Sequence, residues 1–381
     1  MTTFDFLTAG HIRFGRGTAA SAVAAVSELG QRILLVRGRS VAWADQFARQ
    51  LTDAGCHVVE HLSSGEPALD AVEQGRALAQ DSRVEVVVSV GGGAAIDLGK
   101  AIAALAPSDS AAITHLEGVG EGRPLTAAPL PFVAIPTTAG TGAEVTKNAV
   151  IAVPDAGRKV SLRDQRMLPD LAIVDPALTD NSPRDVTLAS GLDALTQVIE
   201  PYLTPKANPL TDALCAAAIP KALNALTKLA AGEDTSARDD MCFVSLCGGM
   251  ALANAGLGAV HGLAGVIGGR LGAPHGLICG RLLGPVLVEN HQMLVEGGAS
   301  MDRFVTLGEW VSEAWTVARE APFEGITAQL DRWDVPRLLR WITPQTDFDT
   351  IAEEAAGASS MKANPCVLPK AALVRIMRAA V

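Results

Sequence analysis

Residues 84–100, VEVVVSVGGGAAIDLGK, decide the fold of this chain. The apolar run at residues 84–90 is typical of a strand that is covered on both faces of a parallel sheet. Three glycines follow it, and then a helical segment begins. At such a turn the backbone can approach an anion closely, and the new helix offers free N–H groups and its positive dipole end. The glycine spacing matches neither GxGxxG nor a P-loop. It nevertheless predicts a pyrophosphate site. The alternative is that the glycines serve only tight packing of the turn.

Similar runs before and after this stretch predict the rest of a sheet, and they lie at residues 33–36, 132–135, 150–153 and 171–174. Between the first of them and residue 84, four apolar side chains follow helical spacing: Ala44, Phe47, Ala48 and Leu51. This pattern indicates a βαβ unit and hence a doubly wound α/β domain. After Asp180 only Ala- and Leu-rich segments occur, which predict an all-α domain. We place the boundary near residue 178, giving domains of residues 1–178 and 179–381.

The composition excludes several classes of protein. With 31 Lys and Arg against 41 Asp and Glu, and only 4% aromatic residues, the chain lacks the cations and rings of a nucleic-acid binder. Residues 241–269 contain no charged side chain, but Asn254, His261 and eight glycines favour a helix buried in a soluble domain over a membrane span. The N-terminal residues lack the apolar segment of a signal peptide, so we expect a cytoplasmic protein without a membrane partner.

A second loop, PTTAGTGAEVT at residues 136–146, follows the predicted strand at residues 132–135. Its threonine hydroxyls and glycines could bond ribose, phosphate or carboxamide groups, although a threonine-rich turn alone is most often only a turn. In parallel sheets, ligands bind outside the carboxyl ends of the strands, where both loops would lie. Together the two loops predict a dinucleotide site.

Possible metal ligands lie in the second half of the chain. Asp193 and Gln197 are four residues apart in GLDALTQ, so a helix would direct both to one face. His261 and His275 follow in VHGLAG and PHG. One carboxylate and two imidazoles suit Fe²⁺ or Zn²⁺ and leave positions open for water or substrate, with Gln197 as a weaker donor. The alternative for each imidazole is a hydrogen-bonded histidine of the core.

The cysteines have no recognisable metal or disulfide spacing. They are Cys56, Cys215, Cys242, Cys247, Cys279 and Cys366, and no two of them form a CxxC pair. In a chain of 381 residues we interpret them as buried free thiols, and a cysteine-based zinc site is not expected.

The motifs GGGxxxDxxK, PTTAGTGAEVT, GLDALTQ, VHGLAG and PHG occur in an order that resembles the iron-containing (group III) alcohol dehydrogenases. That family includes lactaldehyde reductase and maleylacetate reductase, with glycerol dehydrogenase and dehydroquinate synthase as more distant relatives. The resemblance runs from about residue 14 to the ANP at residues 363–365. It implies a Rossmann-like α/β N-terminal domain that binds NAD or NADP, an all-α C-terminal domain that holds one divalent metal, and an active site in the cleft between them.

The resemblance also assigns roles to individual residues. The family's metal positions are Asp, His, His and His, and they fall on Asp193, Gln197, His261 and His275, so Gln197 departs from the pattern. A second departure is Gly265, where many members carry a histidine near the substrate. Cofactor contacts are implied for nine residues in and around the two loops: Gly38, Gly92, Gly93, Ala94, Asp97, Thr137, Thr138, Thr141 and Lys159.

Two positions bear on the cofactor. Ala94 replaces the usual serine after the three glycines, so one hydroxyl contact is lost. Gly38 stands in VRGR at residues 36–39, where the family often has an Asp that accepts the ribose hydroxyls of adenosine. Without that carboxylate, Arg37 and Arg39 could attract a 2′-phosphate. We therefore expect NADPH to be accepted, and it could be preferred over NADH.

The reaction implied by the resemblance is hydride transfer between NAD(P)(H) and a small alcohol or aldehyde, with the metal as a Lewis acid. An enone reductase of the maleylacetate type is one alternative, and a non-catalytic dinucleotide-binding homologue with a weakened metal site is another. A lyase resembling dehydroquinate synthase is disfavoured because no Lys or Arg lies between Asp193 and Lys206. A homodimer is expected from the family alone.

Overall fold

Eight strands and four α-helices build the first unit, Leu7–Asp180, of the computed structural model, which describes residues 3–381. The strands are β1 (His11–Phe14), β2 (Arg32–Gly38), β3 (His57–Ser63), β4 (Val86–Gly91), β5 (Phe132–Pro136), β6 (Asn148–Val153), β7 (Arg158–Arg163) and β8 (Leu171–Val174). The helices are α1 (Ala22–Leu29), α2 (Ala42–Asp53), α3 (Leu69–Asp81) and α4 (Gly93–Leu105).

Six of these strands form a parallel sheet in the order β1-β8-β5-β4-β2-β3. Successive side chains of β2 enter the cores on opposite faces, with Leu34 and Val36 in one and Ile33 and Leu35 in the other. Every residue of β4 and β5 is buried. Because both faces of the sheet are covered by protein, the central strands are continuous apolar runs.

The strand order places a topological switch point between β2 and β4. After β2 the chain continues to β3 at one edge of the sheet, and after β4 it continues to β5 on the other side. In doubly wound sheets, ligands bind at the carboxyl ends of the strands beside such a point. Since β2 ends at Gly38 and β4 ends at Gly91, the predicted glycine turn lies at this position.

The predicted α/β fold is confirmed, but two details of the sheet are wrong. The run at residues 150–153 forms β6, which pairs antiparallel with β7 in a separate two-stranded sheet. The helix predicted around residues 44–51, α2, leads to β3 and not directly to β4. The stretch around His57 and His61 is strand-like in sequence, but it is not one of the apolar runs because β3 is an edge strand with a mixed sequence, HVVEHLS, and several exposed residues.

The second unit comprises Asn181–Val381 and the described residues before Leu7. Its helices are α5 (Arg184–Leu203), α6 (Pro209–Ala231), α7 (Thr235–Ala255), α8 (Ala259–Leu271), α9 (His275–Glu296), α10 (Asp302–Trp315), α11 (Pro322–Arg332), α12 (Phe348–Ala356) and α13 (Lys370–Ala379). No strand occurs in its described part, as predicted. Helix α5 packs against α6, α7 and α9. The functional boundary near residue 178 stays a prediction.

The uncharged segment at residues 241–269 forms parts of two helices, α7 and α8, and not the single helix expected. Gly256, with a φ of 78°, ends α7 in a conformation that favours glycine. The two helices meet at a bend of 102°. In the described part of the chain no single helix is long and apolar enough to cross a membrane, although this bent pair reaches the required length and apolar composition together.

Candidate active site

The turn between β4 and α4 forms the glycine loop. β4 ends at Gly91, Gly92 is the N-cap residue, and α4 begins at Gly93. The N–H groups of Ala95 and Ile96 donate to the Gly92 carbonyl at 3.0 and 3.1 Å. The amides that precede them have no acceptor within the helix, because the first N–H groups of any helix lack an intrahelical partner. These amides and the helix dipole can bind an anion.

The threonine loop after β5 lies directly against the glycine loop. A Cβ atom added at Gly92 would lie 3.2 Å from Oγ1 of Thr138, and one added at Gly93 would lie 2.5 Å from Oγ1 of Thr141. Glycine is therefore required at position 93 for this close approach of the loops. Ala94, in the first turn of α4, is half-buried. The structure thus brings four of the predicted cofactor residues into one place, although their contact with a cofactor stays a prediction.

Lys100 fixes the end of the threonine loop to α4. Its side chain is fully buried, and Nζ donates to the carbonyl oxygens of Ala143, Thr146 and Asn148 at 2.7, 2.8 and 3.0 Å. Nζ also lies 2.9 Å from Oγ1 of Thr146. The loop has little regular secondary structure of its own, so the ammonium group satisfies backbone acceptors that a strand or helix would otherwise have satisfied.

Two carboxylates accompany Lys100, the half-buried Asp97 and the buried Glu144. Asp97 lies one turn earlier on α4 and accepts the N–H of Val150 at 2.9 Å, and Glu144 belongs to the threonine loop. Burial raises the pKa of Asp97 to about 6 and that of Glu144 to about 7, with Lys100 opposing both changes. Burial lowers the pKa of Lys100 to about 8 against the attraction of the carboxylates. The structure therefore gives Asp97 a role inside the protein, and its contact with a cofactor stays a prediction.

The remaining cofactor candidates lie at two different places. Thr137 donates its N–H to the carbonyl of Gly91 at 2.9 Å. Gly38 also borders the glycine loop. A Cβ atom added at Gly91 would lie 3.4 Å from the backbone nitrogen of Gly38. Lys159 lies in β7, where Nζ pairs with the carboxylate of Glu66 at 2.5 Å. Lys159 therefore already has an anionic partner in the protein.

Arg37 at the end of β2 is also paired within the protein. Its Nη2 lies 2.8 Å from Oδ1 of Asp45, and its Nε donates to Oε2 of Glu60. Arg39 is exposed to solvent. Of the two arginines predicted to attract a 2′-phosphate, one is therefore already balanced by two carboxylates.

The second unit brings four possible metal ligands together. Oδ1 of Asp193 on α5 lies 3.2 Å from Nε2 of His261 on α8 and 3.7 Å from Nε2 of His275, the first residue of α9. Sγ of Cys279, also on α9, lies 3.6 Å from Nε2 of His275. The ligand atoms of all four residues lie within 4.8 Å of one another. We refer to Asp193, His261, His275 and Cys279 as the ligand cluster.

Glu200 orients His261 within the ligand cluster. Its Oε2 accepts a hydrogen bond from Nδ1 of His261 at 2.6 Å, and its Oε1 accepts the N–H of Val260 at 2.7 Å. When the ring is neutral with its proton at Nδ1, Nε2, which lies 3.2 Å from Oδ1 of Asp193, is available to a metal. A carboxylate behind a ligating imidazole is the usual outer partner in metal sites. Sequence reasoning missed Glu200, although it lies seven residues after Asp193 on the same helical face.

Two glycines allow α9 to approach α5. A Cβ atom added at Gly276 would collide with the carbonyl oxygen of Ala189 on α5, and one added at Gly280 would lie 2.7 Å from Cδ1 of Leu192. Both glycines are four residues apart on one face of α9, next to His275 and Cys279. This close contact carries the two ligands of α9 toward Asp193.

The ligand cluster attracts positive charge. Burial disfavours the ionised form of Asp193, but His275 and His261 hold its pKa below the usual range. Burial also disfavours a charged His261, but Cys279 and Glu200 raise its pKa well above the usual value. Cys279 is the main cause that raises the pKa of His275 to about 9. These shifts show that the cluster favours positive charge, and a divalent metal would compete with protons for the same ligand atoms.

The other predictions about this region have separate outcomes. The structure confirms six free cysteines, five buried and Cys366 half-buried, but sequence reasoning missed Cys279 as a possible ligand. Its signal in the sequence is the i, i+4 spacing to His275.

Gln197 is buried, and its Nε2 lies 3.4 Å from the point that a Cβ atom of Gly248 on α7 would occupy. Its role as a metal ligand stays a prediction. A Cβ atom at Gly265 would meet no atom within 4 Å, so the space for a side chain there is open.

The donor set of the ligand cluster fits a divalent metal. Ligand atoms about 2.0–2.3 Å from a tetrahedral Zn²⁺ lie roughly 3.3–3.6 Å from one another. The distances of 3.2, 3.6 and 3.7 Å in the cluster are close to these values. In the first unit, the N–H groups in the first turn of α4 have no partner within the helix, which fits the binding of a pyrophosphate.

Comparisons with known proteins agree with this arrangement. The family model described as "Iron-containing alcohol dehydrogenase" matches residues 9–176, and "Fe-containing alcohol dehydrogenase family, C-terminal" matches residues 187–381. Alcohol dehydrogenase 4 of Saccharomyces cerevisiae (strain YJM789) is 33% identical over 90% of this chain and 88% of that protein. The NAD-dependent methanol dehydrogenase of Bacillus methanolicus is 33% identical over 78% of this chain and 77% of its own. A crystal structure of 1,3-propanediol oxidoreductase superposes with a TM-score of 0.89 at 29% identity, covering all of both chains.

Proposed function

This chain belongs to the iron-containing alcohol dehydrogenase family, and we propose that it interconverts small primary alcohols and aldehydes with NAD(H) and one divalent metal. As a member of that family it is an oxidoreductase. The names of two similar proteins, a methanol dehydrogenase and a 1,3-propanediol oxidoreductase, support small primary alcohols as the substrate class. A homodimer and a cytoplasmic location stay predictions.

The observation that carries the proposal is the ligand cluster, in which a buried carboxylate and two imidazoles converge from three helices. When bound, the metal would polarise the carbonyl or alcohol oxygen as a Lewis acid, and NAD(H) would accept or donate the hydride. Asp193, His261 and His275 would hold the metal. Glu200 keeps the proton of His261 at Nδ1, so that Nε2 is available as a ligand atom.

We expect the purified protein to contain about one divalent metal per chain and to oxidise NADH when short aldehydes are added. Metal analysis and an aldehyde panel followed by the absorbance of NADH measure this. A chelator should abolish the activity, and divalent metal should restore it. Turnover of an enone such as maleylacetate without turnover of any aldehyde would contradict the proposed substrate class. Dinucleotide binding with neither metal nor turnover would indicate a non-catalytic homologue.

We propose NADH as the preferred cofactor. Arg37 is paired with Asp45 and Glu60, so the repulsion of a 2′-phosphate by these two carboxylates would oppose its attraction by Arg37. We expect kcat/KM to be higher with NADH than with NADPH.

The variant Arg39→Ala tests the remaining cation at this position. It should lower kcat/KM with NADPH by several-fold and leave the value with NADH within about twofold, since surface charges interact weakly. Arg378→Ala, at an exposed position on α13, serves as the matched control. Equal or better efficiency with NADPH in the unmodified enzyme would contradict the preference.

A further inference from the structure

A thiol occupies a place in the ligand cluster that the family pattern of one Asp and three His does not provide. We propose that Cys279 is a metal ligand and that its thiolate, together with Asp193, His261 and His275, holds the divalent metal. This inference rests on the proposed function, because it concerns the metal site of the same reaction. Gln197 stands where the family has a histidine ligand, and Cys279 would supply a fourth donor in its place.

The position of Sγ supports this assignment. A metal-bound nitrogen and a metal-bound sulfur, at about 2.1 and 2.3 Å from a tetrahedral Zn²⁺, lie roughly 3.6 Å apart. Sγ of Cys279 and Nε2 of His275 are 3.6 Å apart, and Sγ lies within 4.8 Å of the ligand atoms of Asp193 and His261. The distance from Sγ to Nε2 of His275 therefore equals that expected for two ligands of one metal, and Sγ lies near the other two ligand atoms.

The local structure holds Cys279 in this position. It lies one turn after His275, so both side chains are on one face of α9. Its neighbour Gly280 packs against Leu192 of α5, next to Asp193, and leaves no room for a side chain. Cys279 is fully buried. A thiol in a purely apolar core would meet no charged groups, whereas this thiol lies beside a carboxylate and two imidazoles.

Gln197 is not needed to complete four donors. An amide is a weak donor compared with a thiolate or an imidazole. The amide of Gln197 also lies close to Gly248 on α7, where a Cβ atom would be 3.4 Å from its Nε2. With four protein ligands in place, a substrate oxygen would enter as a fifth ligand, which Zn²⁺ accepts.

A thiolate ligand changes both the chemistry and the selectivity of the site. To act as a ligand, Cys279 would lose its thiol proton to solvent and would hold the metal as a thiolate. Thiolates are soft ligands that favour Zn²⁺ over metals that prefer oxygen and nitrogen donors. We therefore expect the unmodified protein to prefer Zn²⁺ over Fe²⁺ more strongly than Cys279→Ser does.

The decisive experiment uses Co²⁺ as a spectroscopic probe of the full-length protein after its metal has been removed. Cobalt bound by a thiolate shows an intense sulfur-to-metal charge-transfer band in the near ultraviolet. We expect this band in the unmodified protein and in Gln197→Ala. We expect it to be absent in Cys279→Ser, with the affinity for Co²⁺ lower on the order of 10-fold or more. Cys366→Ser, which removes the half-buried thiol, is the matched control and should keep the band.

The outcomes separate this inference from the proposed function. If the unmodified protein bound Co²⁺ without the band, Cys279 would not be a ligand, while the metal site itself would stand. If it bound no Co²⁺, both the inference and the metal site would be wrong. X-ray absorption of the Zn²⁺-loaded unmodified protein gives a readout that needs no variant. We expect one sulfur neighbour at about 2.3 Å, and its absence would overturn the assignment.

Discussion

The variant His275→Ala is expected to lose both bound metal and turnover. Nε2 of His275 lies 3.7 Å from Oδ1 of Asp193 and 3.6 Å from Sγ of Cys279, so the substitution removes a donor that contacts two other members of the cluster. We expect kcat/KM for aldehyde reduction to fall on the order of 10³-fold or more. Loss of a residue that only hydrogen-bonds to a metal ligand lowers metal affinity or activity by roughly 10–100-fold, and loss of the ligand itself should have a larger effect. Metal content and steady-state rates should be measured on the same preparation.

Two further variants calibrate this result. Glu200→Gln weakens the partner of His261 without removing a ligand, and we expect metal affinity to fall about 10–100-fold. His291→Ala removes another imidazole of α9, one that packs against Phe304 and Phe323 outside the cluster, and it should keep metal and turnover. If metal content and turnover both survived His275→Ala, the assigned site would be wrong.

The second large effect is expected from Gly93→Ala in the glycine loop. The new methyl group would lie 2.5 Å from Oγ1, 2.7 Å from Cγ2 and 3.1 Å from Cβ of Thr141, so rotation of the threonine side chain alone cannot relieve the overlap. The threonine loop would have to move away from α4. We expect KM for NADH to rise on the order of 10-fold or more with metal content unchanged, because mispositioned binding groups lose affinity steeply. Steady-state kinetics with NADH as the varied substrate measure this.

A second substitution tests whether the overlap with Thr141 is the cause. Thr141→Ala in the Gly93→Ala background removes Oγ1 and Cγ2, so it should recover part of the affinity for NADH. Gly269→Ala is the matched control, because this exposed glycine of α8 has open space around an added Cβ atom. An unchanged KM in Gly93→Ala would show that this loop does not bind the dinucleotide.

The glycine loop could be predicted from the sequence because its determinants are local. A buried strand, three glycines and a helix follow one another within residues 84–100, and the structure has β4, the turn and α4 at these positions. The pairing of β6 could not be predicted in the same way. Its apolar sequence resembles that of the central strands, and only the return of the chain through β7 makes it antiparallel.

The ligand cluster could be predicted only in part. Asp193 follows from the GLDALTQ motif and the two histidines from their own motifs, and the structure brings all three together. Cys279 was overlooked because its helical spacing to His275 does not show which face of α9 meets α5. That face is determined by the contact of Gly276 with Ala189, residues that lie far apart in the sequence. Convergence of distant helices therefore depends on packing that spacing alone does not encode.

The four contacts of Lys100 constrain the evolution and engineering of the threonine loop. Its ammonium group reaches acceptors at residues 143, 146 and 148, so the number of residues between them must stay constant for all contacts to form. An arginine could not replace it easily, because a planar guanidinium directs its donors differently from a compact ammonium. Side chains of the loop other than that of Thr146 can therefore be exchanged without loss of these contacts, whereas grafted loops of another length would leave a buried charge without its acceptors.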